Sequence, residues 1–215
     1  MTQARILLGD DHALILDGIR RLLENYFEVV GCADNGQKLV DDALRLRPEI
    51  VVLDIGMPLL NGIDAACAIR KILPATKFIF ISMHANAIYV RKAIEAGASA
   101  YILKSAASEE LLKAVEIVRK GGTSFSPGLG QDVIDNIGMW PAKTSQLIVE
   151  LTSRQREILQ LISEGKQNKE IASLLNLSVK TIEFHRSRLM TKVGSHSVAE
   201  LTRFAIREGL TSSTD

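Results

Sequence analysis

The hydrophobic positions of this chain change their period once, and the change divides it. Five short runs come first: Arg5–Gly9, Glu28–Ala33, Ile50–Leu53, Lys77–Ser82 and Ser99–Leu103. They are nearly continuous in hydrophobicity and mostly rich in Val and Ile, which suits strands buried on both faces of a parallel sheet. Between and after them lie stretches of helical period, about 13–25, 36–47, 62–72, 86–96 and 107–120. In the first, Leu14, Ile15, Ile19, Leu22 and Leu23 recur at helical spacing. Each strand is followed by one helix. Five such βα units predict an α/β domain over residues 1–121, with a five-stranded, parallel, doubly wound sheet.

Gly121-Gly122 ends this pattern, and 122–148 reads as a linker with Gly, Pro and Ser and little periodicity. A short helix near Asp132–Ile137 and a packing role for Trp140 are expected within it. Residues 149–215 then read as a small all-α domain of four helices. Thr152 caps the first, to about Glu164, and the second covers roughly Asn168–Leu175. After Asn176-Leu177-Ser178 the third runs to about Lys192, with Gly194 as its stop, and the last spans about Val198–Glu208.

Composition narrows the class. With 215 residues, 47% hydrophobic and 24% charged, the chain is globular rather than disordered or fibrous. No apolar run approaches the roughly 20 residues that span a bilayer, and the start lacks a signal-peptide layout; a cytoplasmic protein without membrane contact is expected. Cys32 and Cys67 have no metal-ligand spacing and read as buried small thiols. The net charge is +1. Residues 178–194 depart from that balance, with Lys180, Arg186, Arg188 and Lys192 against Glu183 alone. A local basic cluster in a near-neutral chain points to a small anion-binding face.

In open α/β sheets ligands bind beyond the carboxyl ends of the strands. Asp10 and Asp11 follow the first strand here, Asp54 the third, and Lys104 the fifth; Ser82 closes the fourth. Clustered carboxylates repel, and Mg2+ relieves that repulsion with a few carboxylates, water and phosphate oxygens. An aspartate beside the ion can attack phosphorus and hold an acyl phosphate, while a lysine and a hydroxyl contact the phosphoryl oxygens. Each residue alone has a plainer role: Asp-Asp as a cap, Lys104 as a solvated lysine, Ser82 as a turn residue, Tyr101 as a core ring. Their joint order favours the chemical reading.

Gly9-Asp10-Asp11-His12, Asp54-Ile55-Gly56-Met57-Pro58-Leu59-Leu60-Asn61-Gly62, Ser82 and Tyr101-Ile102-Leu103-Lys104 together resemble the receiver domain of two-component response regulators. The resemblance implies that Asp54 accepts phosphate from a sensor histidine kinase. It implies Mg2+ held by Asp11, Asp54 and the Gly56 carbonyl, with Asp10 acting mainly through water. Lys104 would pair with Asp54 or its phosphoryl group, Ser82 would move toward that group, and Tyr101 would change rotamer with it. Receivers broadly prefer a small residue after the Ser or Thr; here it is Met83, followed by His84. His12 and His84 lie near the pocket rim, where structural roles are expected of both.

The C-terminal order of helix, short helix, tight turn and longer helix is that of a helix-turn-helix. Ile182, Leu189 and Val193 can bury on one side of the longer helix, with Thr181, Phe184, Ser187, Arg188 and Lys192 pointing away. The segments 151–159, 165–172 and Leu177-Ser178-Val179-Lys180-Thr181-Ile182-Glu183-Phe184-His185 resemble a LuxR-type DNA-binding domain. Phe184 and Ser187 depart from its usual pattern, which affects the bases read. Lys180, Thr181, Arg186, Arg188 and Lys192 are expected at phosphates; Glu183, Phe184 and Ser187 are expected at base edges, Glu183 at cytosine and Phe184 at a thymine methyl.

The whole resembles the NarL/FixJ class: a phospho-acceptor transcription regulator, not an enzyme beyond assisting its own phosphoryl transfer and hydrolysis. Promoter DNA, a histidine kinase and a second copy of the chain, paired on phosphorylation or on DNA, are the partners this implies, with RNA polymerase as a further one. Three rivals remain. An aspartyl phosphatase of the haloacid-dehalogenase type needs Asp-x-Asp, and Gly56 stands two residues after Asp54. A phosphorylation-independent DNA-binding regulator would use the same helix with another switch. An adaptor would turn the C-terminal helices to a protein, leaving the basic cluster without a reason.

Overall fold

The computed structural model describes residues 3–129 and 151–211, which fall in two compact units divided between Thr144 and Ser145. The helix expected near Asp132–Ile137 and the packing of Trp140 lie outside the described residues.

The first unit alternates strand and helix: β1 (Arg5–Gly9), α1 (Ala13–Glu24), β2 (Glu28–Ala33), α2 (Gly36–Leu46), β3 (Ile50–Asp54), α3 (Gly62–Ile72), β4 (Lys77–Ser82), α4 (Ala87–Ala96), β5 (Ala98–Leu103), α5 (Ala107–Arg119) and β6 (Ser124–Phe125). All pairings are parallel and the strand order is β2-β1-β3-β4-β5-β6. The sheet therefore has six strands, where five were expected. Ser124 and Phe125 pair with Ala100 and Tyr101, but a two-residue edge strand beside Gly121-Gly122 carries no readable alternation.

Successive strand residues feed opposite cores, which is why the runs read as continuously apolar. Leu7, Val51, Leu53, Phe78, Phe80 and Tyr101 face α2, α3 and α4. Ile6, Leu8, Val52, Ile79, Ile81 and Ile102 face α1 and α5. Helix starts are set by side chains that accept from orphan backbone N–H groups: Asn35 from Lys38, Asn61 from Asp64, Asn86 from Ile88. Cys32 and Cys67 are half-buried and form no disulfide.

The second unit is helical: α6 (Ser153–Ser163), α7 (Asn168–Leu174), α8 (Val179–Val193) and α9 (Val198–Arg207). Thr152 and Gln155 close a capping box on α6, and Ser178 accepts from the Thr181 N–H to start α8. Gly194, at φ 69°, ends α8 in the left-handed conformation that glycine adopts without strain. Ile158, Leu161, Ile171, Ile182, Leu189, Leu201 and Phe204 form the interior of the unit.

Candidate functional site

Strand register alone gathers the acidic residues and the lysine. Gly9 pairs with Leu53, so Asp10 and Asp54 leave adjacent strand ends. Asp54 pairs with Ile81, and Ser82 with Leu103, so Ser82 and Lys104 stand one residue further along the same rim. The chain turns from β1 to β2 on one side and to β3 on the other, so this rim is a topological switch point.

Asp10 and Asp54 are 2% and 6% exposed, while Asp11 is exposed. The Lys104 ammonium lies 2.8 Å from Asp10 Oδ2 and 2.9 Å from Asp54 Oδ2. Asp54 Oδ1 accepts the Ile55 N–H at 2.8 Å, and Asp10 Oδ1 accepts the His12 N–H at 2.9 Å. Burial pushes the Asp54 carboxyl up, and the Lys104 charge opposes it without cancelling it. Burial pulls Lys104 the other way, but its two carboxylates outweigh that and hold the ammonium above its ordinary value. One cation shared between two buried acids explains both directions: the lysine is amply compensated and the acids are short of positive charge.

Carboxylate and imidazole atoms of Asp10, Asp11, His12 and Asp54 lie within 4.8 Å of one another. Asp10 Oδ2 is buried without a well-directed hydrogen bond. These hard oxygens with unused acceptor capacity fit Mg2+. His12, expected in a structural role, places its Nδ1 3.1 Å from Asp10 Oδ1 and 3.0 Å from Asp11 Oδ1.

Ser82 is fully buried, and its Oγ accepts the His84 N–H at 3.1 Å. Tyr101 is buried as well and donates from its hydroxyl to the His84 carbonyl at 2.7 Å. Burial holds its phenol far above the ordinary range. The His84 ring stacks on Tyr89 of α4, centroids 4.4 Å apart and planes 10° from parallel. Ser82, His84, Tyr89 and Tyr101 thus form one connected group from the pocket to α4.

The loop 55–61 leaves the pocket with Gly56 exposed and Leu59 in the left-handed region, φ 67°. Gly62 returns beneath Asp54: a Cβ there would stand 2.0 Å from the Asp54 carbonyl oxygen.

On α8, Ile182 and Leu189 are buried and Val193 half-buried. Lys180, Glu183, Phe184, Ser187, Arg188 and Lys192 are exposed. Thr181 and Arg186 are half-buried: the Thr181 hydroxyl lies 2.8 Å from Ser178 Oγ, and Arg186 donates to Asn168 Oδ1 at 3.2 Å. The Arg188 guanidinium lies over the Phe184 ring, 4.7 Å from its centroid.

Residues 6–116 match the response regulator receiver domain family, and residues 149–205 match the bacterial regulatory proteins of the luxR family. This chain is a response regulator of the NarL/FixJ type. The transcriptional regulatory protein MctR of Rhizobium johnstonii is 37% identical over 210 residues, which cover 97% of this chain and 95% of MctR. The oxygen regulatory protein NreC of Staphylococcus aureus is 35% identical over 213 residues, covering 96% and 98%. Among solved structures, the RcsB response regulator of Salmonella typhimurium superposes with a TM-score of 0.62 at 26% identity, covering 97% of this chain and 99% of RcsB. RcsB bound to the promoter P1flhDC with the phosphomimetic BeF3- gives 0.59 at 26% identity, covering 98% and 100%. The α/β unit is the receiver of this regulator, and the helical unit is its LuxR-type domain. No described helix is long and apolar enough to cross a membrane.

Proposed function

We propose that Asp54 accepts a phosphoryl group from a histidine kinase and that α8 then binds promoter DNA sequence-specifically, as part of a cytoplasmic transcription regulator. The observation that carries the first half is the Lys104 ammonium within 3 Å of both Asp10 and Asp54 at the switch-point rim. A buried aspartate with a fixed cation beside it can act as nucleophile while the cation takes up charge on the incoming group.

In the transfer, an Asp54 carboxylate oxygen forms a bond to phosphorus as the phosphorus–nitrogen bond of phosphohistidine breaks, and the imidazole leaves with the electron pair. Lys104 keeps its contact with Asp10 and turns to a phosphoryl oxygen. The Ser82 hydroxyl, which accepts the His84 N–H and has Tyr101 beside it, would turn to donate to another. Asp10, Asp11 and Asp54, with the Gly56 carbonyl, would hold Mg2+, which supplies charge neutralisation for phosphoryl transfer. Water later cleaves the acyl phosphate, returning Asp54 and inorganic phosphate.

Only Met83 separates Ser82 from His84, so any approach of Ser82 to the phosphoryl group pulls on the carbonyl that Tyr101 holds and on the ring stacked against Tyr89. That chain carries a local charge change to the α4 face, biasing a two-state element. The exposed polar and basic face of α8 supports DNA binding, by a pair of chains on two half-sites about one helical turn apart. RNA polymerase is a further partner of such a bound dimer.

Intact mass after treatment with acetyl phosphate tests the transfer. The wild type should gain one acid-stable, base-labile phosphoryl group only with Mg2+, and Asp54→Asn none. Equal incorporation by both, or none by the wild type, rejects it.

A further inference from the structure

Phe184 projects from α8 on the side opposite Ile182 and Leu189, and is 55% exposed. A phenylalanine so placed contributes nothing to the interior of its own domain. Arg188 is one helical turn further along the same outer face, and its guanidinium covers that ring at 4.7 Å. Among the described residues the Arg188 guanidinium makes no hydrogen bond and no ion pair, so the donors at its edges are free. A guanidinium whose carbon sits over a ring keeps its N–H donors at the edge for other partners. Such a fork matches the O6 and N7 acceptors of guanine, while the apolar ring meets the 5-methyl of thymine.

We infer that Phe184 and Arg188 form one base-reading unit that recognises a thymine and a guanine on neighbouring base pairs in the major groove. This rests on the reading that α8 binds DNA, and it moves Arg188 from a phosphate contact to a base contact. Phe184 reads the methyl directly and is also the positioning residue for Arg188. Its ring removes rotamer freedom that a long side chain otherwise loses only on binding. Glu183, beside Phe184 on the helix, is exposed.

The test uses the full chain with Mg2+ and beryllofluoride, selecting first from random duplexes. Both side chains are exposed, so Phe184→Ala, Phe184→Leu and Arg188→Lys should fold, which circular dichroism verifies. The wild-type site should contain the thymine–guanine step. Replacing that thymine by uracil or that guanine by 7-deazaguanine should each weaken binding about tenfold. Arg188→Lys should lose the guanine preference and keep that for the methyl. Phe184→Ala should lose both, and Phe184→Leu should keep the methyl preference but weaken that for guanine.

Two results overturn the inference. In one, Arg188→Lys leaves the sequence preference unchanged, and Arg188→Ala weakens all duplexes alike with a shallower salt dependence, as a phosphate contact would. In the other, Phe184→Ala leaves the guanine preference intact. A wild type that selects no sequence at all instead rejects DNA reading by α8 itself.

Discussion

The ammonium of Lys104 stands 2.9 Å from Oδ2 of Asp54, and the same ammonium is the nearest counter-charge to Asp10 at 2.8 Å. Lys104→Met removes it and leaves two buried carboxylates without the cation they share. Breaking a buried pair from one side costs about 3–5 kcal/mol. The variant should therefore unfold at a markedly lower temperature in EDTA, and saturating Mg2+ should recover more of its stability than it adds to the wild type. Calorimetry with and without the ion measures both effects.

Burial raises the Asp54 carboxyl above its ordinary value, and the sign of the stability effect follows. Below the unfolded-state value, about 3.9, the group is protonated in both states and costs nothing. As pH rises through the higher folded-state value, the ionised form is penalised only in the folded state, so stability falls. Asp54→Asn should thus stabilise the metal-free protein at neutral pH, with a gain that shrinks to nothing in acid. Thermal unfolding from pH 4 to 8 in EDTA gives the profile.

Gly62 passes so close to Asp54 that a single methyl group cannot fit: its Cβ would lie 2.0 Å from the Asp54 carbonyl oxygen. Gly62→Ala should push the end of β3 out of place. Phosphoryl incorporation from acetyl phosphate should then slow by at least tenfold even in molecules that fold, because positioning errors near 1 Å cost about 100-fold.

Leu59 holds a left-handed backbone, φ 67°, that costs a non-glycine residue about 1–2 kcal/mol. Leu59→Gly relieves it, while the freer unfolded chain takes back about 0.4–1 kcal/mol. A net gain of at most about 1.6 kcal/mol is expected in denaturant titration, and a loss would show that the half-buried Leu59 side chain packs better than its strain costs.

Much of this arrangement is legible in the sequence, and the reasons are local. Strands buried on both faces announce themselves as runs such as Ile50–Leu53, and the α/β order places Asp10, Asp54 and Lys104 at one rim before any coordinate is known. Thr152 marks the start of the first C-terminal helix. What escapes is tertiary. Ser124–Phe125 is a strand only because β5 offers it an edge. Arg186 is expected at a phosphate from its charge; that Asn168 on α7 accepts from it and holds it half-buried is set by how the helices pack. The link from Tyr101 to the His84 carbonyl ends on a backbone atom, which no residue identity encodes. The placement of the Arg188 guanidinium over the Phe184 ring needs the i,i+4 geometry and the actual rotamers.

Lys180 is exposed at the start of α8 and is expected at a phosphate. Lys180→Ala should weaken binding to all duplexes alike, and the slope of log K against log salt should fall in magnitude by about 0.9. Titrations at several salt concentrations measure it; a change confined to one base position would make Lys180 a base reader instead.

The most direct test of the whole account is DNA affinity as a function of phosphorylation. Wild type and Asp54→Ala are compared with and without Mg2+ and beryllofluoride, on the duplex selected by the wild type. The account predicts that treatment tightens binding by the wild type and pairs two chains on the DNA, while Asp54→Ala responds to neither reagent. Equal affinity in all four conditions would contradict it, and would assign the DNA-binding helix to a regulator whose switch is not Asp54.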